Sequence, residues 1–311
     1  MTLSVHRAVL LEEVINGLKV ESNKNYIDCT FGAGGHSIAI LQKNGPIGKL
    51  LAIDWDTEAI IRAKDTLKQY KNRIILINDN YRQVKKYAYE NGFNSADGVL
   101  LDLGLSLDQL QNSGRGFSFQ QDEPLDMRFS VSTKITAEFI LNNYTESELR
   151  RIFLDYGEEH QAHRLAKAIV ESRAINPIKS TLQLVQLITA NKKRDPRKRI
   201  NPATQVFQAL RIEVNSEFEN IENALRDIVD ILCPGGRLVV ITFHSLEDRI
   251  VKKFFKAEST DCHCSKELPQ CVCNHKASLK MITRKAIKPS DREISENFRA
   301  RSAKLRVIEK I

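Results

Sequence analysis

The sequence predicts an α/β fold, a doubly wound and mostly parallel sheet with an inserted all-helical domain. The first observation is a series of short apolar segments, each followed by a helical pattern, at 26–30, 50–54, 74–77 and 98–102. Apolar strands that alternate with helices are typical of a parallel sheet covered on both faces. The second observation is that this alternation stops after about residue 112, and a clear strand pattern returns only at 237–243.

The region between these two parts shows helical periodicity only. From 134 to 192, apolar residues recur at helical spacing, and one long helix is predicted from about 203 to 232. We therefore predict a discontinuous α/β domain formed by 1–112 and 216–311. A helical domain at 113–215 interrupts it.

Composition bounds the class of protein. The 311 residues carry a formal net charge of +8, with a pI near 9.1. A basic balance favours a polyanionic partner, although it also keeps proteins soluble. No stretch approaches the roughly 20 apolar residues of a membrane span, and the first residues lack the apolar core of a signal peptide. A cytoplasmic protein without a membrane partner is the simplest interpretation. The sequence does not show whether it forms a homodimer.

A glycine-rich turn follows the first predicted strand. Asp28 precedes this turn, and Gly34, Gly35 and His36 end it at the start of a helix. Glycines let the backbone approach a ligand closely, and a helix N-terminus favours negative charge. The turn alone is weak evidence because it suits a dinucleotide equally well. Asp28 adds a carboxylate that suits a cationic group, such as the amine or sulfonium of S-adenosylmethionine.

Polar residues also follow the next three strands. Asp54 ends the second strand, where a carboxylate can accept hydrogen bonds from ribose hydroxyls. Tyr81 follows the third strand and either lies against an adenine face or is a half-buried aromatic at a helix start. Asp102 ends the fourth strand. Because ligands bind at the carboxyl ends of such strands, these residues predict one cofactor crevice.

Several segments together resemble one protein family, and they occur in the family's order along the chain. They are Thr30–Ser37, Gly114–Phe119, Pro124–Arg128, Asn201–Thr204, Phe207–Ile212, Thr242–Arg249 and Arg299–Arg306. On these segments the chain resembles the MraW/RsmH family of ribosomal RNA small-subunit methyltransferases. No single segment would be specific, but the set spans the chain.

The resemblance implies a reaction, a cofactor and a partner. The reaction is methylation of the exocyclic N4 of a decoding-region cytidine, the methyl donor is S-adenosylmethionine, and the partner is 16S rRNA or the small ribosomal subunit. It also implies a methyltransferase-type sheet whose helical insert recognises the substrate. Carried over position by position, the cofactor contacts fall on Gly34, Gly35, His36, Asp54, Tyr81, Asp102 and Gln109.

Two segments depart from the family pattern. Arg7-Ala8 stands where the family usually has any residue followed by proline. Leu107-Asp108 replaces a serine and a proline in the loop between Asp102 and Gln109. The expected Gln109 contact therefore depends on how this altered loop folds.

Two residues are predicted to act on the acceptor amine. Asp102 would accept hydrogen bonds from the amine, which localises its lone pair and prepares for proton loss. His244 follows the strand at 237–243 and would lie on the substrate side. A histidine at a strand end is more often structural than catalytic. Ser245 and Asp248 have the spacing of a capping box, so we predict a scaffolding role for both.

Basic residues supply the predicted RNA contacts, and they are Arg115, Arg128, Lys193 and Arg197. The last two belong to a run at 192–199 that is either a phosphate contact or a solvated face. Phe117 and Phe119 either stack on RNA bases or pin their loop onto the sheet, and the second interpretation is favoured.

Four of the six cysteines fall in one short window, and they are Cys262, Cys264, Cys271 and Cys273. In a cytoplasmic protein they should be reduced. Their number suits zinc, but their Cys-x-Cys spacing is shorter than that of most tetrahedral zinc sites. The alternative is an exposed hairpin with reactive thiols, so the sequence assigns no metal.

Two rival functions remain at this point. A nicotinamide-dependent oxidoreductase would use the same crevice but leaves the segments around Asp126 and His244 unexplained. A non-catalytic RNA-binding or ribosome assembly factor would keep the fold without turnover, and cofactor-type residues at four strand ends argue against it.

Overall fold

A computed structural model of the chain describes residues 8–192, 201–262, 264, 270 and 272–311. The chain divides into two compact units. The first contains the residues up to Gly104 together with Phe218–Ile311, and the second is Leu105–Glu217. The loop after Asp102 that carries Gln109 therefore packs with the helical unit.

The first unit is built on a sheet whose order is β3-β2-β1-β4-β5-β7-β6. Its strands are β1 (Tyr26–Asp28), β2 (Leu50–Asp54), β3 (Ile74–Asn78), β4 (Ala96–Asp102), β5 (Leu232–Thr242), β6 (Leu279–Met281) and β7 (Lys304–Lys310). Strands β1 to β5 pair in parallel, while β7 lies antiparallel between β5 and β6. This topology confirms the predicted doubly wound, mostly parallel sheet.

The strand order reverses at β1, which pairs with β2 on one side and β4 on the other. Asp28 aligns with Ala52 of β2 and with Leu100 of β4. The next residues of β2 and β4 extend beyond the end of β1, so Asp54 and Asp102 both flank it. In open parallel sheets a ligand crevice forms at such a reversal. The topology therefore places three aspartates at the expected position.

Helices cover both faces of this sheet. They are α1 (Leu11–Gly17), α2 (Gly35–Lys43), α3 (Thr57–Thr66), α4 (Val84–Glu90), α11 (Glu217–Ile231), α12 (Ser245–Glu258) and α13 (Asp291–Glu296). Along β4, Val99 and Leu101 belong to the same apolar cluster as Leu225 of α11, whereas Leu100 belongs with Val14 of α1 to the cluster on the opposite face. All are buried, as expected for a parallel strand between two helical layers.

The second unit is helical around a core of its own. Its helices are α5 (Leu107–Gln111), α6 (Ala137–Asn143), α7 (Glu146–Asp155), α8 (Ala162–Arg173), α9 (Thr181–Asn191) and α10 (Thr204–Asn215). The single helix predicted for 203–232 is wrong, because α10 ends at Asn215 and Ser216 is left-handed with φ of 50°. The side chain of Asn215 bonds Met127 and Phe129 instead, which ties a loop of this unit to the helix end.

None of the helices in the described part of the chain combines the length and the apolar character that crossing a bilayer requires.

Candidate active site at the carboxyl ends of the parallel strands

The turn between β1 and α2 brings backbone and carboxylate together. Gly32 donates its N–H to Asp54 Oδ2 at 2.6 Å. Gly34 precedes α2 with φ of 81°, and a Cβ placed on it would lie 2.6 Å from the Phe31 ring. Only glycine fits this conformation and this contact without strain. The turn thus holds the start of α2 close to the end of β2.

Asp28 is fully buried at the base of this turn. Its carboxylate accepts hydrogen bonds from Ser37 Oγ at 2.7 Å and from the Thr30 N–H at 3.1 Å. Burial raises the pKa of Asp28 to about 6, although both hydrogen bonds favour the charged form. Asp28 therefore organises the turn. Its predicted contact with a cationic ligand group stays a prediction.

Asp54 connects β2 to the same turn. Besides Gly32, it accepts a hydrogen bond from the Asp56 N–H at 2.8 Å. Burial is again the main cause that raises its pKa to about 6, with smaller contributions from the charges of Asp56 and Asp28. Two backbone donors thus fix the orientation of the carboxylate at the crevice, where the sequence predicts a ribose contact.

Asp102 ends β4 beside the other two aspartates. Its N–H donates to Thr30 Oγ1 at 2.7 Å. Its side chain is 23% exposed, yet Oδ1 is buried and has no hydrogen-bond partner among the described residues. Burial, then the charges of Asp28 and Glu247, raise the pKa of Asp102 well above its usual value. A buried oxygen without a donor is costly, so the position suits a group that a ligand would supply.

His36, in the first turn of α2, faces Asp102. Its Nε2 lies 3.0 Å from the Val9 carbonyl, and its Nδ1 lies 3.5 Å from Asp102 Oδ2. A carbonyl oxygen only accepts, so Nε2 carries a proton. In its neutral form, His36 would therefore present its Nδ1 lone pair toward the Asp102 carboxyl. No sequence pattern indicated Val9 or Thr30 as partners of this site.

The segment after β3 lies beside β2. Asn78 donates from Nδ2 to the Asp54 carbonyl at 3.0 Å, and Asn80 caps the next turn by accepting from the Arg82 N–H at 2.9 Å. Tyr81 begins this turn and packs partly buried against the core of the sheet. Tyr81 is thus a half-buried aromatic at the start of a turn, and it also follows the strand next to β2. Its predicted contact with an adenine face stays a prediction.

His244 lies at the end of β5 and caps α12. Its Nδ1 accepts from the Glu247 N–H at 3.4 Å, and Glu247 Oε2 accepts from the Phe243 N–H at 2.8 Å. The other ring nitrogen lies 3.0 Å from Glu247 Oε1. The capping box predicted for Ser245 and Asp248 is therefore wrong by one residue. These contacts give His244 a role in the scaffold, and its role toward a substrate stays a prediction.

In the described part of the chain, the Asp248 side chain does not bond to the backbone at the start of α12, as a capping residue would, but pairs with basic side chains. It accepts from Arg306 Nε at 2.7 Å and lies 3.4 Å from Lys304 Nζ, both on β7. Burial raises its pKa, but the hydrogen bonds and charges of these two residues outweigh burial and leave the pKa below its usual value. Asp248 thus joins α12 to the antiparallel strand and belongs to the scaffold, as predicted.

The predicted substrate residues of the helical unit hold its own loops. Arg115 Nη1 donates to the Arg128 and Phe129 carbonyls at 3.0 and 2.9 Å. Arg128 forms a two-pronged pair with Asp126 at 2.7 and 2.8 Å. Their contacts with RNA stay predictions. Lys193 and Arg197 lie outside the described residues.

Two aromatic residues of this loop also pack within the helical unit. Phe117 is buried and stacks on Phe129 with ring centroids 5.6 Å apart. Phe119 meets Phe207 edge to face at 5.1 Å. They fix the loop, as favoured above, but the expectation that they pack on the sheet is wrong, because their partners belong to the core of the helical unit.

Gln109 completes a local cap. Its Oε1 accepts from the Ser106 N–H at 3.0 Å, and the Ser106 hydroxyl accepts from the Gln109 N–H at 3.2 Å. The departures at Leu107 and Asp108 fall in the first turn of α5, after this cap. The carried-over cofactor contact of Gln109 stays a prediction.

Comparison with known proteins places this site in a family. The model of the MraW methylase family matches residues 3–311. The chain belongs to the MraW methylase family. Membership confirms the predicted family, and S-adenosyl-L-methionine is the cofactor, rather than the dinucleotide that the glycine-rich turn also suits.

Individual relatives of this family member are similar over nearly their whole length. Ribosomal RNA small subunit methyltransferase H of Dehalococcoides mccartyi is 48% identical over 312 residues, covering 100% of this chain and 88% of that protein. The protein of the same name from Clostridioides difficile is 47% identical, covering 98% and 99%. A candidate methyltransferase from Streptococcus mutans, solved in complex with SAH, has a TM-score of 0.44 and 14% identity over 97% of each chain.

Proposed function

We propose that this protein transfers a methyl group from S-adenosyl-L-methionine to the exocyclic N4 of a decoding-region cytidine in 16S rRNA. One observation carries the proposal: among the described residues, the buried carboxylate oxygen Asp102 Oδ1 has no hydrogen-bond donor, and it lies at the end of β4 and beside the turn that follows β1. An exocyclic amine is a donor that would satisfy it. The names of the relatives support a ribosomal RNA substrate.

The cofactor would be held by residues of the first unit that converge at the sheet reversal. Gly34 and Gly35 bring the backbone close, and Asp54 is oriented by two N–H donors to accept from ribose hydroxyls. Tyr81 would border the adenine. The bound sulfonium supplies a methyl group that is already activated for transfer. The residues of the chain therefore have to align the acceptor and take its proton.

The acceptor amine is a poor nucleophile because its lone pair is delocalised into the ring. A hydrogen bond from the amine to Asp102 Oδ1 localises the lone pair and orients it toward the methyl group. Correct alignment alone contributes roughly 7–11 kcal/mol in well-oriented reactions. Methyl transfer would break the bond between the methyl group and the cofactor sulfur, leaving S-adenosylhomocysteine, and the proton that the amine loses would pass to the Asp102 carboxylate.

His36 provides the next position for that proton. Its Nδ1 lies 3.5 Å from the other oxygen of Asp102, and Nε2 is already occupied by the Val9 carbonyl. The proton held by Asp102 can therefore be shared with His36 Nδ1 and leave after the reaction. Asp102 is the proposed catalytic residue, and His36 is a positioning residue that acts through it.

The target base must be unstacked from its RNA helix to reach Asp102. We expect a single-stranded or flipped cytidine, because enzymes that modify a base need access to its edge. The basic residues Arg115, Arg128, Lys193 and Arg197 are the proposed phosphate contacts. Binding to RNA should therefore weaken steeply with salt. A cytoplasmic location is part of this proposal.

The deciding experiment measures transfer of labelled methyl from S-adenosyl-L-methionine to small ribosomal subunits and to protein-free 16S RNA, followed by nucleoside mass spectrometry. Labelled N4-methylcytidine in either RNA is the expected result, and the preferred substrate shows when in assembly the enzyme acts. Label in another nucleoside overturns the N4 assignment. Cofactor binding without label in any RNA overturns the proposed substrate.

A further inference from the structure

The two ends of the connection between α12 and β6 lie close together. Ser278 donates its N–H to the Glu258 carbonyl at 3.0 Å and its hydroxyl to Glu258 Oε2 at 2.7 Å. One step further out, the Ala277 N–H donates to Asp261 Oδ1 at 3.2 Å. These bonds hold the two ends of the connection together beside the sheet.

The described residues beyond these bonds contribute nothing to a hydrophobic core. No described residue between Ser259 and Ser278 belongs to the three apolar clusters of the chain, and Val272 is 71% exposed. Residues that bury little apolar surface can be ordered instead by a metal or a disulfide. The side chains that could provide it are cysteines.

Three cysteine sulfurs converge in this segment. The Sγ atoms of Cys262, Cys264 and Cys273 all lie within 4.8 Å of one another, and those of Cys262 and Cys273 are 3.8 Å apart. A disulfide would need about 2.05 Å. Two thiolates on one tetrahedral zinc, each at about 2.3 Å, lie about 3.8 Å apart. The spacing of Cys262 and Cys273 therefore fits two ligands of one metal ion, and Cys264 Sγ lies within 4.8 Å of both.

Backbone N–H groups also point at these sulfurs. The Cys264 N–H donates to Cys262 Sγ at 3.4 Å, and the Val272 N–H donates to Cys264 Sγ at 3.3 Å. Hydrogen bonds to sulfur favour the thiolate, which is the form that binds metal. The first of these bonds links the two cysteines of one Cys-x-Cys pair.

We propose that Cys262, Cys264 and Cys273 bind a zinc ion that orders the connection between α12 and β6. Three thiolates select a soft, tetrahedral ion such as Zn²⁺ over Mg²⁺ or Ca²⁺, which prefer oxygen ligands. The site has a structural role, because the ion orders a segment whose described residues belong to no apolar core. The described residues supply three ligands, and a tetrahedral zinc site takes a fourth. Cys271 lies outside the described residues.

The test uses the full-length protein purified from zinc-supplemented cells without chelator. Elemental analysis should find one zinc per chain, and replacement by Co²⁺ should give the thiolate-to-cobalt absorption of a tetrahedral site. The C262S, C264S and C273S variants should each lose zinc. Cys233 is the matched control, since its sulfur contacts Asp97 at 3.8 Å in the sheet, and C233S should keep the full zinc content.

Three results overturn this proposal. The first is wild-type protein whose zinc content is at background although its thiols are reduced. The second is full zinc content in the triple variant that lacks all three sulfurs. The third is a cobalt spectrum without thiolate-to-metal absorption. The wild-type measurement holds even if a variant fails to fold, and none of the results depends on methyl transfer.

Discussion

His36 and Asp102 face each other across 3.5 Å, from Nδ1 of the imidazole to Oδ2 of the carboxyl, while the Val9 carbonyl fixes the other imidazole nitrogen. Because Nε2 carries a proton, the pair can hold one further proton between Nδ1 and Oδ2. Burial and the charges of Asp28 and Glu247 raise the pKa of Asp102, which favours the protonated carboxyl before a cationic ligand arrives. We therefore expect a cationic ligand in the site to favour proton release from Asp102.

The Asp102→Asn variant tests whether Asp102 takes the proton of the acceptor amine. We expect its kcat for methyl transfer to fall by about 10² to 10⁴, because an amide cannot take the proton that the amine loses. Single-turnover assays at saturating cofactor measure the chemical step, and calorimetry separately measures cofactor affinity. Undiminished turnover in Asp102→Asn contradicts the assignment. Loss of cofactor binding with a normal chemical step would instead make Asp102 a cofactor residue only.

Cofactor affinity should depend on pH near 6, which is above the range where carboxyl groups ordinarily titrate. Burial raises the pKa values of both Asp28 and Asp54 to about 6 in the unliganded protein, and ribose hydroxyls and a cationic sulfonium favour ionised carboxylates. Binding therefore releases protons at low pH, and the Kd should fall as pH rises from about 5 to about 7. Titration calorimetry in two buffers of different ionisation enthalpy counts these protons.

The Asp54→Asn variant supplies the control for this pH dependence. It keeps one acceptor oxygen for the two N–H donors of Gly32 and Asp56 and has no charge to titrate, so its Kd should be weaker at neutral pH and its pH dependence shallower. A wild-type Kd that is flat between pH 5 and 7 would show that neither carboxyl titrates on binding.

The sheet was predictable because buried parallel strands have a continuous apolar sequence and end at polar residues. Residues 98–102 show this pattern, and Asp102 lies where the strand pattern predicted it. The partners of the site were not predictable, because no sequence pattern pairs the Thr30 hydroxyl with the Asp102 N–H or the Val9 carbonyl with His36. Likewise, the Leu10 N–H donates to Glu293 Oε1 at 2.7 Å across 283 positions of sequence, a contact that no local pattern encodes.

The exact start of α12 and the break between α10 and α11 were also not predictable from the sequence. Ser245-x-x-Asp248 and His244-x-x-Glu247 both have capping-box spacing, and the place where β5 ends decides between them. The break at Ser216 has a similar cause. Apolar residues continue at helical spacing on both sides of it, while the left-handed backbone depends on the bonds that Asn215 makes to the loop at Met127.

The His244 cap should be measurable as stability. His244→Ala removes the acceptor for the Glu247 N–H and should cost about 1 kcal/mol of unfolding free energy, whereas His244→Asn supplies a good capping residue and should recover most of it. Denaturant unfolding followed by the single tryptophan, Trp55, reports on the first unit. Equal stability of the two variants contradicts the capping role. A large kcat loss in well-folded His244→Asn would support the substrate-side role predicted from sequence.

The contact between Asp248 and Arg306 should be the larger contribution to stability. Their side chains are only 13% and 11% exposed, so Asp248→Ala leaves a poorly solvated guanidinium without its partner and should cost about 3 kcal/mol. The carboxylate has a lowered pKa in the folded state, so its contribution is present above the unfolded pKa and is lost as pH falls through the folded value. The difference in unfolding free energy between wild type and Asp248→Ala should therefore shrink in acid.

Arg292→Ala is the control. The ion pair of Arg292 with Glu296 is exposed, so this variant should leave the Trp55 unfolding transition unchanged. A difference that is constant from neutral to acid pH would show that Asp248 stabilises the fold by packing rather than by charge.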